Sequence, residues 1–273
     1  MAGEFLDAEA VKALVTGSGG FVGSHLVRVL QAIGHDVIEA DIKQGVDLAD
    51  LATARRCLAQ KPDVVFHLAS TCSTPGSVKD PTGTFTNTVV VAANVLEAAR
   101  PDKVPLVITS SVKARDGQTP YGAAKCMVET WAREYRAAYG MQIVINRPGT
   151  IYGPGQEGSD ESGWISWFCR AKAENLEVTI NGDGEQVRDL LHVLDYVRLM
   201  RIQARHIETY DGRTWDVGGG EENRVTVNQI ASHLGLQVVH GPSRYGDSRE
   251  YVGYNNVPGW EPQIRWWEDE TLR

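Results

Sequence analysis

A short apolar run, Val11–Gly17, breaks into a turn carrying Gly17, Gly20 and Gly23 and passes directly into a segment of helical periodicity, Gly20–Ile33. Glycines at this spacing between a strand and a helix serve three separate needs. The first permits the tight turn, the second lets the backbone approach a pyrophosphate, and the third lets helix and strand pack closely. The helix start that follows offers free N–H groups and the positive end of a dipole to an anion. Four further apolar runs repeat the alternation: His35–Asp41, Asp63–Ala69, Pro105–Ser111 and Gln142–Pro148. Between them lie helical segments at Leu51–Gln60, Asn87–Ala99 and Tyr121–Tyr139. Continuous apolar strands alternating with amphipathic helices specify βαβ units, and so an α/β fold with a doubly wound parallel sheet of Rossmann type. Ligands of such sheets sit at the carboxyl ends of the strands.

The chain has 273 residues, and after Pro148 its texture changes to a Gly-, Ser- and acid-rich stretch, IYGPGQEGSDESG. A division follows: residues 1–150 form the nucleotide-binding domain, and 151–273 form mainly a small α/β substrate domain, with some segments returning to the first. Six of the seven tryptophans fall in the second part; only Trp131 lies upstream. A net charge of −8 without any basic run argues against nucleic acid as a partner, because phosphate backbones are held by clustered Lys and Arg. No apolar stretch suits a membrane span and the first residues lack a signal-peptide pattern, which points to the cytoplasm. Cys57, Cys72, Cys126 and Cys169 are scattered and the histidines are dispersed, so free thiols and no metal site are expected.

The second apolar run ends in Asp41. A carboxylate there can accept both hydroxyls of an adenosine ribose and would repel a 2′-phosphate, which favours NAD over NADP, although nearby Lys43 is a cation that a 2′-phosphate would suit. In TPYGAAKCMVE, Tyr121 and Lys125 stand at i and i+4 and share one helix face. An ammonium beside a phenol stabilises the phenolate and lowers its pKa, making a base of a group that ordinarily titrates near 10. Ser110 and Ser111 end the fourth run, where either hydroxyl can bond a reacting oxygen. His67, closing a buried run, reads as structural, and Cys126 has no base beside it. His192 reads as packing between domains. Tyr152 and Trp164 suit either a sugar pocket or core packing.

Taken together these motifs resemble the extended short-chain dehydrogenase/reductase superfamily, specifically its NAD-dependent nucleotide-sugar epimerase/dehydratase family, of the UDP-glucose 4-epimerase type, over nearly the whole chain. TGSGGFVG is similar to the family's glycine fingerprint, which implies cofactor contacts from Gly17, Gly20, Phe21, Val22 and Gly23. VDLAD implies adenine contacts from Asp47 and Leu48. HLAS implies Leu68 and Ala69 along the cofactor, Asn87 falls at the nicotinamide side, and RPGTIYGPG brings Pro148 to the cofactor and opens the substrate domain. SS followed by YGAAK resembles a Ser-Tyr-Lys triad of Ser111, Tyr121 and Lys125, the last two also touching the cofactor. NGDGEQVRDLLHVLD and RYGD imply Arg188 and Arg244 as ligands of a nucleotide diphosphate. The implied reaction inverts a hexose C4 hydroxyl of a nucleotide-diphosphate sugar through a transient 4-keto intermediate. The resemblance also implies a homodimer through the Tyr121 and Asn87 helices, where Ala92, Ala93, Ala98, Ala99, Ala123 and Ala124 would permit close approach.

Several positions depart from that pattern. Only ten positions lead from Ser111 to Tyr121, where typical sugar epimerases carry a longer insert that shapes the sugar pocket. SSVKA resembles instead the inverting 4,6-dehydratases, in which an Asp-Lys pair serves elimination. Lys113 matches their lysine, but Val112 replaces the aspartate and cannot donate a proton. Thr150 stands where many relatives carry an asparagine toward the sugar phosphate, so Lys113 and Thr150 are further candidate substrate contacts. Cys72 replaces a lysine that some epimerases carry. The same triad serves dehydration and 4-ketosugar reduction, and a sensor or scaffold that binds NAD without turnover is a reading of another class.

Overall fold

The computed structural model describes residues 10–272. Each apolar run of the first half is a strand, shorter than the run itself because the flanking residues leave the ladder for turns. They are β1 (Lys12–Thr16), β2 (Asp36–Ala40), β3 (Val64–His67), β4 (Leu106–Thr109) and β5 (Ile143–Pro148). The helices between them are α1 (Phe21–Ala32), α2 (Leu51–Leu58), α3 (Thr74–Lys79), α4 (Pro81–Phe85), α5 (Val91–Ala99) and α6 (Pro120–Tyr139). The expected Asn87–Ala99 helix is therefore only the end of a longer one. It starts at Pro81, with Asp80 accepting from the Gly83 N–H, and passes through a π-helical turn at Thr86–Val90 before α5. Such π turns are frequent at functional sites, and this one carries Asn87.

The second half contributes β6 (Thr150–Tyr152), α7 (Trp164–Glu174), β7 (Val178–Asn181), β8 (Val187–His192), α8 (Val193–Arg205), α9 (Ile207–Tyr210) and β9 (Thr214–Val217). After them come β10 (Arg224–Thr226), α10 (Val227–Leu234), β11 (Val238–Gly241) and β12 (Glu250–Tyr251). The main sheet has the order β2-β1-β3-β4-β5-β9, with every neighbouring pair parallel. Its last strand thus comes from the second half of the chain: β9 pairs with β5 from Ile145↔Thr214 to Pro148↔Val217. In a smaller lobe β8 pairs with β10, β12 and β6, and β7 pairs with β11.

Period-2 alternation explains how the sheet is buried on both faces. Leu14, Val65, Leu106, Ile108, Ile143 and Ile145 point to one side, against Leu58, Val95, Leu96 and Val128. Ala13, Val15, Phe66, Val107 and Val144 point to the other, against Leu26, Leu30, Val197 and Met200. The result is three layers, helix on sheet on helix. The direction of winding reverses between β1 and β3, so a crevice opens where their carboxyl ends diverge.

Ala92 and Ala99 belong to the first of these cores, and Ala124 is also buried. These three alanines pack within the subunit and do not form the helix face that the resemblance implied.

Candidate active site

Backbone geometry at the β1–α1 turn explains the glycines. Gly17 takes φ +71, and a Cβ there would stand 2.8 Å from the Ala69 backbone nitrogen at the end of β3. A Cβ on Gly23 would lie 2.1 Å from the Gly17 carbonyl oxygen. Any side chain at either position would drive α1 off the sheet or close the crevice. Gly20 is the N-cap of α1, and among the described residues no side chain caps the helix and no acid stands in its first turn. The N–H groups of that turn face the crevice, as a bound diphosphate requires. At the end of β2, Asp41 accepts from the Gly19 N–H (2.9 Å) and the Lys43 N–H (2.8 Å), which ties the carboxylate to the glycine turn. Lys43 donates to the Gly19 carbonyl at 3.2 Å.

From this crevice a cavity of about 890 Å³ runs to the smaller lobe. Every residue singled out above for cofactor, chemistry or substrate lines it. Gly17, Gly20, Phe21, Val22, Gly23, Asp41, Asp47 and Leu48 form one end. Leu68, Ala69, Asn87, Pro148, Ser111, Tyr121 and Lys125 form the middle, and Lys113, Thr150, Arg188 and Arg244 form the other end. Trp164 lines it as well, whereas Tyr152 is fully buried in the core of the smaller lobe. Among the described residues no group of His, Cys, Asp and Glu side chains could hold a metal ion.

Helix α6 starts at Pro120, with Thr119 accepting from the Gly122 N–H (3.1 Å), so Tyr121 enters in the first turn and Lys125 one turn later. The two serines at the end of β4 part company. Ser110 donates its hydroxyl to buried Glu129 at 2.6 Å, while Ser111 stays beside the Tyr121 phenol. Burial pushes the phenol up to about 12, with the Ser111 hydrogen bond opposing the rise. The net shift is upward, because burial outweighs what lowers it. Nζ of Lys125 donates to Ser70 Oγ and to the Thr109 carbonyl, both at 2.8 Å, and desolvation brings the lysine itself down to about 8. His67 lies 2.9 Å from Thr16 Oγ1, and burial holds it down at about 3, so it is a neutral structural histidine. His192 caps α8 and approaches Asp269 at 3.2 Å.

At the far end three cations converge. Arg188 pairs with Asp247 and lies 5.0 Å from the centre of the Tyr251 ring; Lys113 lies 4.4 Å from the same ring. Lys113 donates to Thr74 Oγ1 at 2.9 Å, and burial followed by repulsion from Arg188 lowers it to about 8. Arg244 donates to the Asp160 carbonyl at 2.6 Å, and to the Asn181 amide oxygen at 2.9 and 3.0 Å in the amide orientation that satisfies both groups. Across the same Gly-rich loop, Glu161 pairs with Lys79, so the loop is held from both lobes. Val112, in the place of a dehydratase aspartate, is buried. Asp247, Tyr251 and Ser70 carried no separate signal. Asp247 was visible only as the end of RYGD, and the contact of Arg188 with Tyr251 spans strands that pair across more than sixty residues.

The sequence profile of the NAD dependent epimerase/dehydratase family matches residues 13–218. UDP-glucose 4-epimerase of Mycolicibacterium smegmatis is 30% identical over 297 residues, covering 93% of this chain and 94% of that protein. CDP-paratose 2-epimerase of Salmonella typhi is 24% identical, covering 93% and 95%. UDP-glucose 4-epimerase of Thermotoga maritima, solved with UDP-glucose, superposes with a TM-score of 0.87 at 28% identity, covering 96% of each chain. The Thermus thermophilus enzyme, solved with NAD, gives 0.85 at 28% identity over 96% and 97%. The chain belongs to the NAD-dependent epimerase/dehydratase family, and NAD is its cofactor. The glycine turn agrees with this on its own geometry, since the crevice at Gly17 and Gly23 is one that any Cβ would fill.

Proposed function

We propose that the protein is a nucleotide-sugar epimerase that inverts the C4 hydroxyl of a hexose, with Tyr121 as the acid–base group. The observation that carries this reading is the single cavity joining the glycine turn, the Tyr121–Lys125–Ser111 cluster and the cations Arg188 and Arg244. Bound NAD would supply the acceptor for the hydride that leaves C4 and, once reduced, the donor that returns it to the other face of the ketone. Tyr121 takes the proton from the C4 hydroxyl and returns it after the 4-keto sugar has turned to present its other face. Lys125 sets a positive charge beside the phenol, and Ser111 donates to the oxygen on which charge develops. Arg188 and Arg244 hold the diphosphate, so binding energy far from the reacting carbon positions the ring. Asp41 takes the adenosine ribose hydroxyls. Phe85, Met127 and Trp131, each about half exposed (47%, 49% and 48%), stand on α4 and α6 and form the contact of a homodimer. A cytoplasmic location agrees with the absence, among the described residues, of any helix long and apolar enough to cross a membrane.

Elimination, the reaction of a 4,6-dehydratase, is the weaker reading because Val112 has no proton to give a leaving hydroxyl. Incubation with UDP- and dTDP-hexoses, followed by NMR of the products, is expected to show inversion at C4. A 4-keto-6-deoxy product in its place makes the protein a dehydratase, and no turnover across the panel leaves an NAD-binding sensor. Tyr121→Phe is expected to lower kcat by about 10²- to 10⁴-fold while NAD stays bound; activity retained in that variant overturns the role of Tyr121.

A further inference from the structure

Beneath the cavity floor, and outside its lining, lies a fully buried carboxylate that the reaction scheme does not use. Glu129 stands four residues after Lys125, one turn deeper on α6. Its oxygens accept from Ser110 Oγ at 2.6 Å and from Arg147 Nε and Nη2 at 2.7 and 2.6 Å, with Arg133 at 3.4 Å. These partners come from different elements. Ser110 follows β4 and immediately precedes Ser111, Arg147 lies in β5 just before Pro148, and Glu129 itself shares its helix with Tyr121 and Lys125. One side chain therefore ties together the three segments that carry the reacting hydroxyls, the ammonium and a cofactor-lining proline.

We propose that Glu129 is the positioning residue of the site: it anchors the end of β4 through Ser110 and maintains a negative charge behind Lys125, so that the lysine remains an ammonium in a dry cavity. This rests on the reading of Tyr121 and Lys125 as the reacting pair. The charged and titratable groups around Lys125 are few. Tyr121 stands one turn before it and Glu129 one turn after it on α6, and His67 of β3 and Cys72 of the loop after β3 interact with it electrostatically. Burial, the chief influence, favours the neutral amine; His67 is uncharged, and Glu129 and Cys72 act in the opposite direction to burial. Of these two, Cys72 is an exposed thiol, whereas Glu129 is a fully buried carboxylate one turn further along the same helix as Lys125. Arg147 holds that carboxylate through a paired, two-pronged contact.

The test compares Glu129→Gln with the double variant Glu129→Gln/Arg147→Gln, in which the Arg147 guanidinium is not left without its carboxylate. In both, the alkaline limb of the kcat profile, set by loss of the Lys125 proton, is expected to move down by about one pH unit or more, with KM for the sugar nucleotide nearly unchanged. The limb is expected to stay shifted in the double variant even where its melting temperature returns to that of the parent. A limb that does not move in either variant, or that returns together with the melting temperature, overturns the proposal. Failure of the underlying reading appears separately, as activity surviving in Tyr121→Phe.

Discussion

At the scale of single residues, the cavity is governed by what burial does to charge. Tyr121 and Lys125 are both displaced toward their neutral forms, the phenol to about 12 and the ammonium to about 8. Water exclusion therefore opposes the ion pair on which the proposed chemistry rests, and in that scheme the donors and acceptors around the pair have to restore it. Asp41 shows the same economy of groups: one carboxylate both orders the glycine turn through Gly19 and lines the cavity. Asp41→Asn removes the charge that rejects a 2′-phosphate but keeps an acceptor. We expect its preference for NAD over NADP, measured by direct titration of each nucleotide, to narrow by about tenfold or more; an unchanged ratio would show that Asp41 does not read the ribose.

Between elements, the telling residue is Asp189 in β8, held in a seam where β8 meets the ends of β5 and β9. A Cβ on Gly149 or Gly218 would fall within 1.9 Å of its carboxylate, and its one hydrogen bond from the seam is the Gly253 N–H at 2.8 Å. Desolvation raises it to about 7, against 3.8 unperturbed, with Gly253, Arg224 and Arg115 opposing. The folded protein keeps this proton at pH values where the unfolded chain has released it. Stability from this group is therefore greatest at low pH and falls as pH rises from about 4 to about 7. The loss is on the order of 4 kcal/mol. Melting temperatures of the parent should decline over that window, and Asp189→Asn should flatten the curve; equal slopes in the two proteins would refute the assignment. Much of the element scale is legible in the sequence, because buried parallel strands must be apolar on both faces and a strand–glycine–helix turn has few alternative uses. Gly17, Tyr121 and Lys125 depend on spacing within one element, and spacing is visible. Glu129, Asp189 and Tyr251 depend on pairings between distant strands and helices, for which no local pattern exists. The π turn at Asn87 escaped for a related reason: nothing in TNTVV departs from ordinary helical periodicity.

For the whole molecule, the exposed apolar side chains Phe85, Met127 and Trp131 set the assembly we expect. Sedimentation velocity should show a dimer, and Trp131→Glu should shift it to monomer while NAD binding persists, since Trp131 lies outside the cavity lining. A monomeric parent would remove that expectation. The placement of β9 bears on how the chain is made. The edge of β5 is complete once Pro148 is synthesised, yet its partner ends at Val217, some seventy residues later. At about 5–20 residues per second, that edge waits roughly 4–14 seconds with its hydrogen-bonding groups unpaired and its apolar faces partly uncovered. Ribosome-bound intermediates arrested in this interval are therefore the species on which chaperone capture and aggregation would compete.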